Sequence, residues 1–391
     1  MANGLRSRHA VDMLACMPRV IIAGAGFGGL STAAALRRQD SVGRLEIVLI
    51  DRRRDYVMGL RKSWAALGIS SLVEGVRDLA EVEGVTVEVG EITRVDPVAR
   101  AVHVNGRTLE ADALVVAMGA RHDPEAVPGL VRHGINVWDR DEIERARIAL
   151  DGLADRRLVI GIFEMPYSCP PAPYELALLA RERFERAVEI VVFSPAPIAL
   201  PVVGPAESAK LEAMLAAGGI TFLPARKAVS VEDRAVRFTD GSIQSFDVLL
   251  AIPPHRCPPV LVDAGLAAAG GWVKPDPRTL EMEQPGVYAI GDCTVITLAN
   301  GLALPKAGIF AEQQGHVVAA RIAARLAGDE PQATFAGEAF CYLETGSGKA
   351  AIASGAFMAD PVAVSISEPT SEALAEKHEF ERSRLTSWFG R

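Results

Sequence analysis

The sequence has few cysteines, no excess of positive charge and no long apolar run. Its five cysteines are an odd number without CxxC spacing, so neither a disulfide framework nor a zinc site is predicted, and we expect no bound metal. The 41 Lys and Arg against 49 Asp and Glu give a net charge of −8, which has the wrong sign for a nucleic-acid partner. No stretch approaches the roughly 18 uncharged apolar residues of a membrane-spanning helix.

The first sixteen residues contain Arg and His but no continuous apolar stretch, and therefore do not resemble a secretory signal. We expect a cytoplasmic protein, and peripheral attachment to the inner face of a membrane stays open. Ordered structure is expected to begin at Met17. With 391 residues, 49% of them hydrophobic, the chain is long enough for two to three domains with buried cores.

A glycine-rich turn lies near the N-terminus, between an apolar strand and an Ala- and Leu-rich helix, in RVIIAGAGFGGLSTAAALRR. Gly24 would permit the tight turn, Gly26 would let the backbone approach a pyrophosphate, and Gly29 would let the helix pack on the strand. Asp51 ends the next apolar strand, where the ribose-binding acid of a dinucleotide site belongs. A purely structural turn is the alternative. The predicted dinucleotide contacts in this half are Gly24, Gly26, Phe27, Gly28, Gly29, Asp51 and Arg52.

Two later strand ends complete the pattern, in ALVVAMGA and in GVYAIGD. Together with the glycine turn they resemble the two-dinucleotide-binding-domain flavoproteins, the glutathione reductase-like superfamily. The resemblance implies non-covalently bound FAD, with Ala117, Gly119, Gly291 and Asp292 as further contacts and Asp292 hydrogen-bonded to the ribityl chain. Met118 stands where that superfamily usually has a small hydroxyl residue.

The implied fold is α/β, with two Rossmann-like dinucleotide-binding domains, a discontinuous FAD domain and a small C-terminal α+β region. We assign residues 17–125 and 266–328 to the FAD domain, 126–265 to the second Rossmann-like domain and 329–391 to the C-terminal region. Alternating strands before ALVVAMGA predict a β-meander, and a helix is predicted to begin at Pro305 and to run through Arg325.

The second nucleotide site is altered. The expected strand RRLVIGIF is followed not by a second glycine motif but by EMPYSCPPAPYELALLARERF, with prolines at 166, 170, 171 and 173. Proline has no N–H to offer a pyrophosphate, so we expect a nicotinamide dinucleotide to bind poorly there. Cys169 occupies this loop instead.

The string CPPAPYE, residues 169–175, resembles the motif of sulfide:quinone oxidoreductases and of the flavoprotein subunit of flavocytochrome c sulfide dehydrogenase. The resemblance implies that Cys169 partners a second cysteine after the PKxG helix, which nominates Cys341, the thiol that we expect to face the flavin. Glu175 matches a proton-handling Glu, with a helix first-turn acid as its alternative. Lys306 matches the PKxG lysine, a cation for the reduced flavin, with a solvated helix-start residue as its alternative. The other cysteines, expected to be inert, are Cys16, Cys257 and Cys293.

The resemblance implies FAD-dependent oxidation of sulfide, or a related sulfur species, with electrons passed to a quinone. Trp138 lies where the quinone-linked members often have a third cysteine. Two alternatives stay open: an enzyme like the type II NADH:quinone oxidoreductases, and a flavin and disulfide redox sensor with little turnover.

The C-terminal segment mixes apolar and basic side chains, which suits a membrane interface. The alternative is a helix that packs its apolar face on the protein or on a second subunit, as in a homodimer. We expect removal of the residues after Pro369 to leave FAD binding intact.

Overall fold

The computed structural model of the protein describes residues 17–40, 43–153 and 156–390. Cys16 and the expectation of a disordered start lie outside these residues. The helices are α1 (Phe27–Gln39), α2 (Arg61–Ala66), α3 (Leu130–His133), α4 (Ile143–Asp151), α5 (Ala172–Phe184), α6 (Pro205–Ala217), α7 (Pro259–Asp263), α8 (Gly308–Ala327) and α9 (Ser371–Phe389).

The strands belong to two parallel sheets and to smaller antiparallel sheets. They are β1 (Arg19–Ala23), β2 (Glu46–Asp51), β3 (Asp55–Tyr56), β4 (Arg77–Asp78), β5 (Thr86–Val89), β6 (Ile92–Asp96), β7 (Ala101–Val104), β8 (Arg107–Glu110), β9 (Ala113–Val116), β10 (Arg121–His122), β11 (Ile135–Asn136), β12 (Arg157–Ile162), β13 (Glu189–Phe193), β14 (Thr221–Leu223), β15 (Ala228–Glu232), β16 (Ala235–Phe238), β17 (Ile243–Ser245), β18 (Val248–Ile252), β19 (His255–Arg256), β20 (Val287–Ala289), β21 (Glu338–Gly346), β22 (Lys349–Ala356) and β23 (Ala363–Ile366).

The first parallel sheet has the strand order β20-β9-β1-β2-β5. Its central strand β1 is apolar and buried on both faces from residue 20 to residue 23, as is usual where helices cover a parallel sheet. Helices α1 and α8 pack against each other on one of these faces. Because β20 comes from late in the chain and pairs with β9, this sheet is built from two separate stretches of sequence, which agrees with the discontinuous arrangement that the motifs predict.

The second parallel sheet has the order β11-β18-β12-β13-β14. Helix α5 connects β12 to β13, so the βαβ unit is kept although its loop carries prolines. The fold class of two Rossmann-like sheets is therefore as predicted. The domain boundaries proposed from the sequence stay a prediction.

The expected meander is shorter than predicted. Strands β6, β7 and β8 form an antiparallel sheet of three, whereas β5 leaves the meander and pairs parallel to β2 at the edge of the first sheet. Strand β9 then returns beside β1 in parallel register, as expected.

Helix α8 begins at Gly308, not at Pro305 as the sequence predicted. The preceding residues are extended, because Lys306 forms a parallel bridge with Ser168 and its carbonyl accepts the N–H of Cys169 at 2.6 Å. A tertiary contact thus overrides the local preference of proline for a first helical turn.

The C-terminal region consists of an antiparallel sheet, β21-β22-β23, followed by α9. Helix α9 buries Leu385, Trp388 and Phe389 against the protein, and the Trp388 ring lies 5.2 Å from the ring of Phe27. These three apolar side chains pack within the protein, as the second of the two interpretations of this segment expects, and contact with a membrane stays a prediction. Among the described residues, no helix is long and apolar enough to cross a membrane.

Candidate active site

The glycine-rich turn between β1 and α1 has the geometry of a dinucleotide cradle. Gly24 has φ +109°, and a Cβ built on it would lie 2.3 Å from the Ala117 carbonyl oxygen. A Cβ on Gly29 would lie 1.8 Å from the Gly24 carbonyl oxygen, so side chains are excluded at both positions. At Gly26 a Cβ would meet no protein atom within 4 Å. The space beside Gly26 is thus open to a ligand, which is what binding of a pyrophosphate requires.

Asp51 lies beside this turn at the end of β2. Its carboxylate accepts the backbone N–H groups of Ala25 and Arg53, each at 2.8 Å. A carboxylate has about four acceptor positions, so capacity for a hydroxyl remains. The side chain of Arg52 is exposed.

The second half of the site follows β20. The N–H of Gly291 donates to the Gln314 side chain at 2.7 Å, and the Asp292 carboxylate accepts the Ser168 hydroxyl at 2.6 Å. Ser168 immediately precedes Cys169, so a residue of the predicted cofactor site and the cysteine loop contact each other directly. Sequence reasoning gave no indication of this contact.

Lys306 is buried, and its amine does not point freely into the cavity. It donates to the carbonyl oxygens of Asp292 at 2.7 Å and Thr294 at 2.9 Å, and it lies 3.4 Å from the ring centroid of Trp272. Burial lowers the pKa of Lys306 to about 8. These contacts make Lys306 a residue that positions the Asp292 segment, and its role as a cation for a flavin stays a prediction.

A cavity of about 340 Å³ joins the two halves to the cysteines. It is lined by most of the predicted site residues, but not by Gly24, Gly29, Asp51 or Arg52, which form or flank the turn behind it. The predicted residues on its wall are Gly26, Phe27, Gly28, Ala117, Gly119, Cys169, Glu175, Gly291, Asp292, Lys306 and Cys341.

Cys169 and Cys341 are both free thiols on this wall, and they come from different parts of the fold. Cys169 precedes α5 in a left-handed conformation with φ 54°, and Cys341 lies on β21. The interaction with the Cys341 thiol lowers the pKa of Cys169, and the backbone N–H of Ala172 acts in the same direction. The same pairing, together with burial, raises the pKa of Cys341. Of the two thiols, Cys169 is therefore the one that loses its proton more readily.

Glu175 is 4% exposed and belongs to a buried cluster of charges. Lys377 of α9 donates to Glu175 at 2.8 Å and to Glu344 at 2.7 Å, and the N–H of Glu344 donates to Glu175 at 2.9 Å. Burial raises the pKa of Glu175. Burial alone would lower the pKa of Lys377, but the two carboxylates outweigh it and raise the value.

Three residues of this region were missed or misinterpreted in the sequence. Lys377 was interpreted only as one of the basic side chains of a C-terminal segment that suits a membrane interface, yet it is 3% exposed. Glu344 lies three residues after Cys341, and that proximity is the one signal that could have found it. Trp138, noted only as the position of an absent cysteine, donates its indole N–H to the Ser168 carbonyl at 2.8 Å.

Cys257 and Cys293 are buried in the core, as expected of inert thiols. Burial raises the pKa of Cys257 and raises that of Cys293 to about 12, so both are protonated at neutral pH. In the described ranges of the chain, no three His, Cys, Asp or Glu side chains are arranged to hold a metal ion.

Two Rossmann-type sheets and a glycine-rich dinucleotide cradle, with two free thiols on the same cavity, are the features of a dinucleotide-binding oxidoreductase. The chain belongs to the pyridine nucleotide-disulphide oxidoreductase family, whose model matches residues 18–321. Membership in this flavoprotein family implies a flavin cofactor, and the open space at Gly26 fits the phosphates of such a group.

The fold is similar to that of the sulfide:quinone oxidoreductase of Aquifex aeolicus, with a TM-score of 0.84, 21% identity, and coverage of 95% of this chain and 92% of that one. An NADH dehydrogenase-like protein of Mycobacterium tuberculosis is 31% identical over 144 residues, which are 35% of this chain and 36% of the relative. A type II NADH:quinone oxidoreductase of Staphylococcus haemolyticus is 25% identical over 132 residues, or 33% and 32% of the two chains. The chain thus matches about a third of the length of these curated relatives.

Proposed function

We propose that the protein is an FAD-dependent enzyme that oxidises sulfide, or a related sulfur species, through Cys169 and Cys341 and passes the electrons to a quinone. The observation that carries this proposal is that both thiols line the same cavity as the glycine-rich turn. The fold similarity to a sulfide:quinone oxidoreductase supports it. When bound, FAD would supply a two-electron acceptor beside the cysteine pair.

The thiol chemistry starts from a Cys169–Cys341 disulfide, the oxidised form of the two free thiols. Hydrosulfide attacks the Cys341 sulfur, the S–S bond breaks, a persulfide forms on Cys341, and Cys169 leaves as a thiolate with the bond's electron pair. Cys169 is the better leaving group of the two, because its pKa is the lower.

Glu175 is the proton-handling group in this proposal. Its charge interacts with both thiols, and burial raises its pKa, so that it can exchange a proton nearer to neutral pH than an exposed glutamate. Lys377 and Glu344 hold its carboxylate in place. Asp292 and Lys306 hold the neighbouring wall of the cavity.

A type II NADH:quinone oxidoreductase-like activity is the second candidate, because the curated relatives that match a third of the chain carry such names. The loop between β12 and α5 weighs against it. Its prolines offer no N–H to a pyrophosphate, and the Cys169 N–H is already bonded to the Lys306 carbonyl oxygen at 2.6 Å.

The deciding experiment is anaerobic stopped-flow absorbance of the purified flavoprotein mixed with sulfide and, separately, with NADH. We expect sulfide to bleach the flavin band rapidly and NADH to leave it unchanged. Cys169→Ser and Cys341→Ser should each abolish the sulfide reaction, whereas Cys257→Ser, a cysteine outside the cavity, should retain it. Mixing the reduced protein with a short-chain ubiquinone should restore the band.

Bleaching by NADH alone would refute the proposal in favour of the second candidate. Bleaching by neither reductant would refute both, and would favour a redox sensor in which the cysteine pair changes a partner surface without turnover.

A further inference from the structure

Three lysines line the cavity, and the amines of two of them are held by at least two protein acceptors each. The amine of Lys377 lies between two carboxylates, at 2.8 Å from Glu175 and 2.7 Å from Glu344. The amine of Lys306 donates to two backbone carbonyls and lies over an indole ring. At least two of the three N–H groups of each of these amines are therefore already engaged by the protein.

Lys62, the third, is different. It extends from α2, is half-buried, and donates to the Trp138 carbonyl oxygen at 2.6 Å. In the part of the chain that the structure describes it makes no ion pair with a carboxylate. An ammonium group has three N–H bonds, so two remain for a ligand. Burial lowers the pKa of Lys62, while Asp139 and Cys169 act in the opposite direction, which means that an anion beside it would stabilise its charge.

The position of Lys62 relative to Cys169 is fixed through one intermediate residue, Trp138. The backbone carbonyl of Trp138 accepts from Lys62, and the indole N–H of Trp138 donates to the Ser168 carbonyl at 2.8 Å. Ser168 precedes Cys169, whose own N–H is bonded to the Lys306 carbonyl. Lys62 and the Cys169 loop are thus held by the same tryptophan.

We propose that Lys62 is the anion-binding residue of the cavity, which draws an anionic sulfur species such as hydrosulfide toward the cysteine pair and stabilises negative charge on the Cys169 sulfur. This inference rests on the proposed function for the identity of the anion. Lys62 forms and breaks no bond and transfers no proton or electron. It supplies a positive charge to the step in which the S–S bond breaks and Cys169 leaves as a thiolate.

A charge-selective alkylation tests this without any turnover. In the Cys341→Ser protein, Cys169 is alkylated with iodoacetate, an anion, and in parallel with iodoacetamide, which is neutral, and the products at Cys169 are quantified by peptide mass spectrometry. Both reagents react with the same thiolate, so the ratio of their rates cancels any change in its pKa. The ratio then reports the attraction of the anion alone.

We expect Lys62→Met to lower the ratio of the iodoacetate rate to the iodoacetamide rate by roughly three- to tenfold, as removal of one nearby charge predicts. Lys62→Gln, which keeps an N–H donor for Trp138, should lower the ratio equally if Lys62→Met folds poorly. Lys62→Arg should restore it. Lys349→Met, at an exposed lysine on a hairpin, is the matched control and should leave the ratio unchanged.

An unchanged ratio in Lys62→Gln overturns the inference, and so does a ratio that stays low in Lys62→Arg. The outcome is independent of the stopped-flow experiment. If sulfide fails to bleach the wild-type flavin, the proposed function fails while the alkylation ratio still decides whether Lys62 attracts anions.

Discussion

Substitution of Lys377 by methionine should destabilise the protein strongly. Lys377 is 3% exposed, and its two carboxylate partners, Glu175 and Glu344, have buried side chains as well. Methionine keeps most of the volume, so the loss arises mainly from two carboxylates left without a cation. Removing one partner of a buried ion pair costs about 3–5 kcal/mol, and we expect a loss of that order at pH 8.

The loss should depend on pH in a defined direction. Burial raises the pKa of Glu175 above the value of the unfolded chain, and removal of Lys377 raises it further. A carboxyl group with a raised pKa in the folded state contributes stability that is present below its unfolded pKa and is lost as pH rises through the folded pKa. The difference between variant and wild type should therefore shrink as the pH is lowered from 8 toward 5.

Urea unfolding followed by circular dichroism at both pH values measures this, with Lys349→Met as the exposed control. Adding Glu344→Gln to Lys377→Met should recover at least about 1 kcal/mol, because it removes one of the two uncompensated charges. A loss below about 1 kcal/mol at pH 8, or a loss that is the same at both pH values, would refute the account of the buried cluster.

Three further predictions follow from the cofactor side of the site. Gly29→Ala should lower the unfolding midpoint, because its Cβ would overlap the Gly24 carbonyl oxygen. Gly26→Ala should keep the midpoint but lower the ratio of flavin to protein absorbance. The same midpoint and the same absorbance ratio in both variants would contradict the cradle geometry. Trp388→Ala should lower the free energy of unfolding by about 3–5 kcal/mol and reduce the flavin content, because Trp388 packs on Phe27 of the cradle. Full flavin occupancy in this variant would contradict such a role of α9. The folded pKa of Lys306, about 8, lies below the ordinary value of 10.5, so the unfolded chain binds more protons between these pH values and the stability of the wild type rises with pH there. Lys306→Met should abolish this rise. Measurement of the unfolding midpoint from pH 8 to pH 10.5 checks it.

The prediction for Trp388 differs from an expectation drawn from the sequence. Removal of the segment after Pro369 was predicted to leave FAD binding intact, on the view that this segment serves a membrane. In the structure the same helix covers the cradle through Trp388 and holds Glu175 through Lys377. We now expect its removal to impair both the flavin site and the cysteine site.

The features that could be predicted from the sequence are those that depend on a few consecutive residues. The residue types dictate the local geometry of the glycine turn and of the strand that ends at Asp51, whereas the Cys169 loop was recognised by its resemblance to a family motif. The joining of Cys169 to Cys341 across the fold came from a family resemblance, and both thiols do line one cavity.

The features that could not be predicted depend on partners far apart in the chain. Glu175 contacts the backbone of Glu344, 169 residues away, and the amine of Lys377, 202 residues away. A lysine in an amphipathic helix has the same local pattern whether it faces water or a buried carboxylate. The late start of α8 has the same cause, because the bridge between Ser168 and Lys306 exists only in the tertiary structure.

That bridge couples two equilibria. Ser168 and Cys169 contact Asp292 and Lys306 on the cofactor side, so the cysteine loop and the cofactor segment share the same hydrogen bonds. If formation of a disulfide weakens or strengthens these hydrogen bonds, the affinity for the cofactor changes by the same free energy. Thermodynamic linkage makes this effect reciprocal. Under the proposed function, loading of the cofactor would shift the midpoint potential of the cysteine pair by the equivalent amount, and the apoprotein and holoprotein would differ as redox couples as well as in their colour.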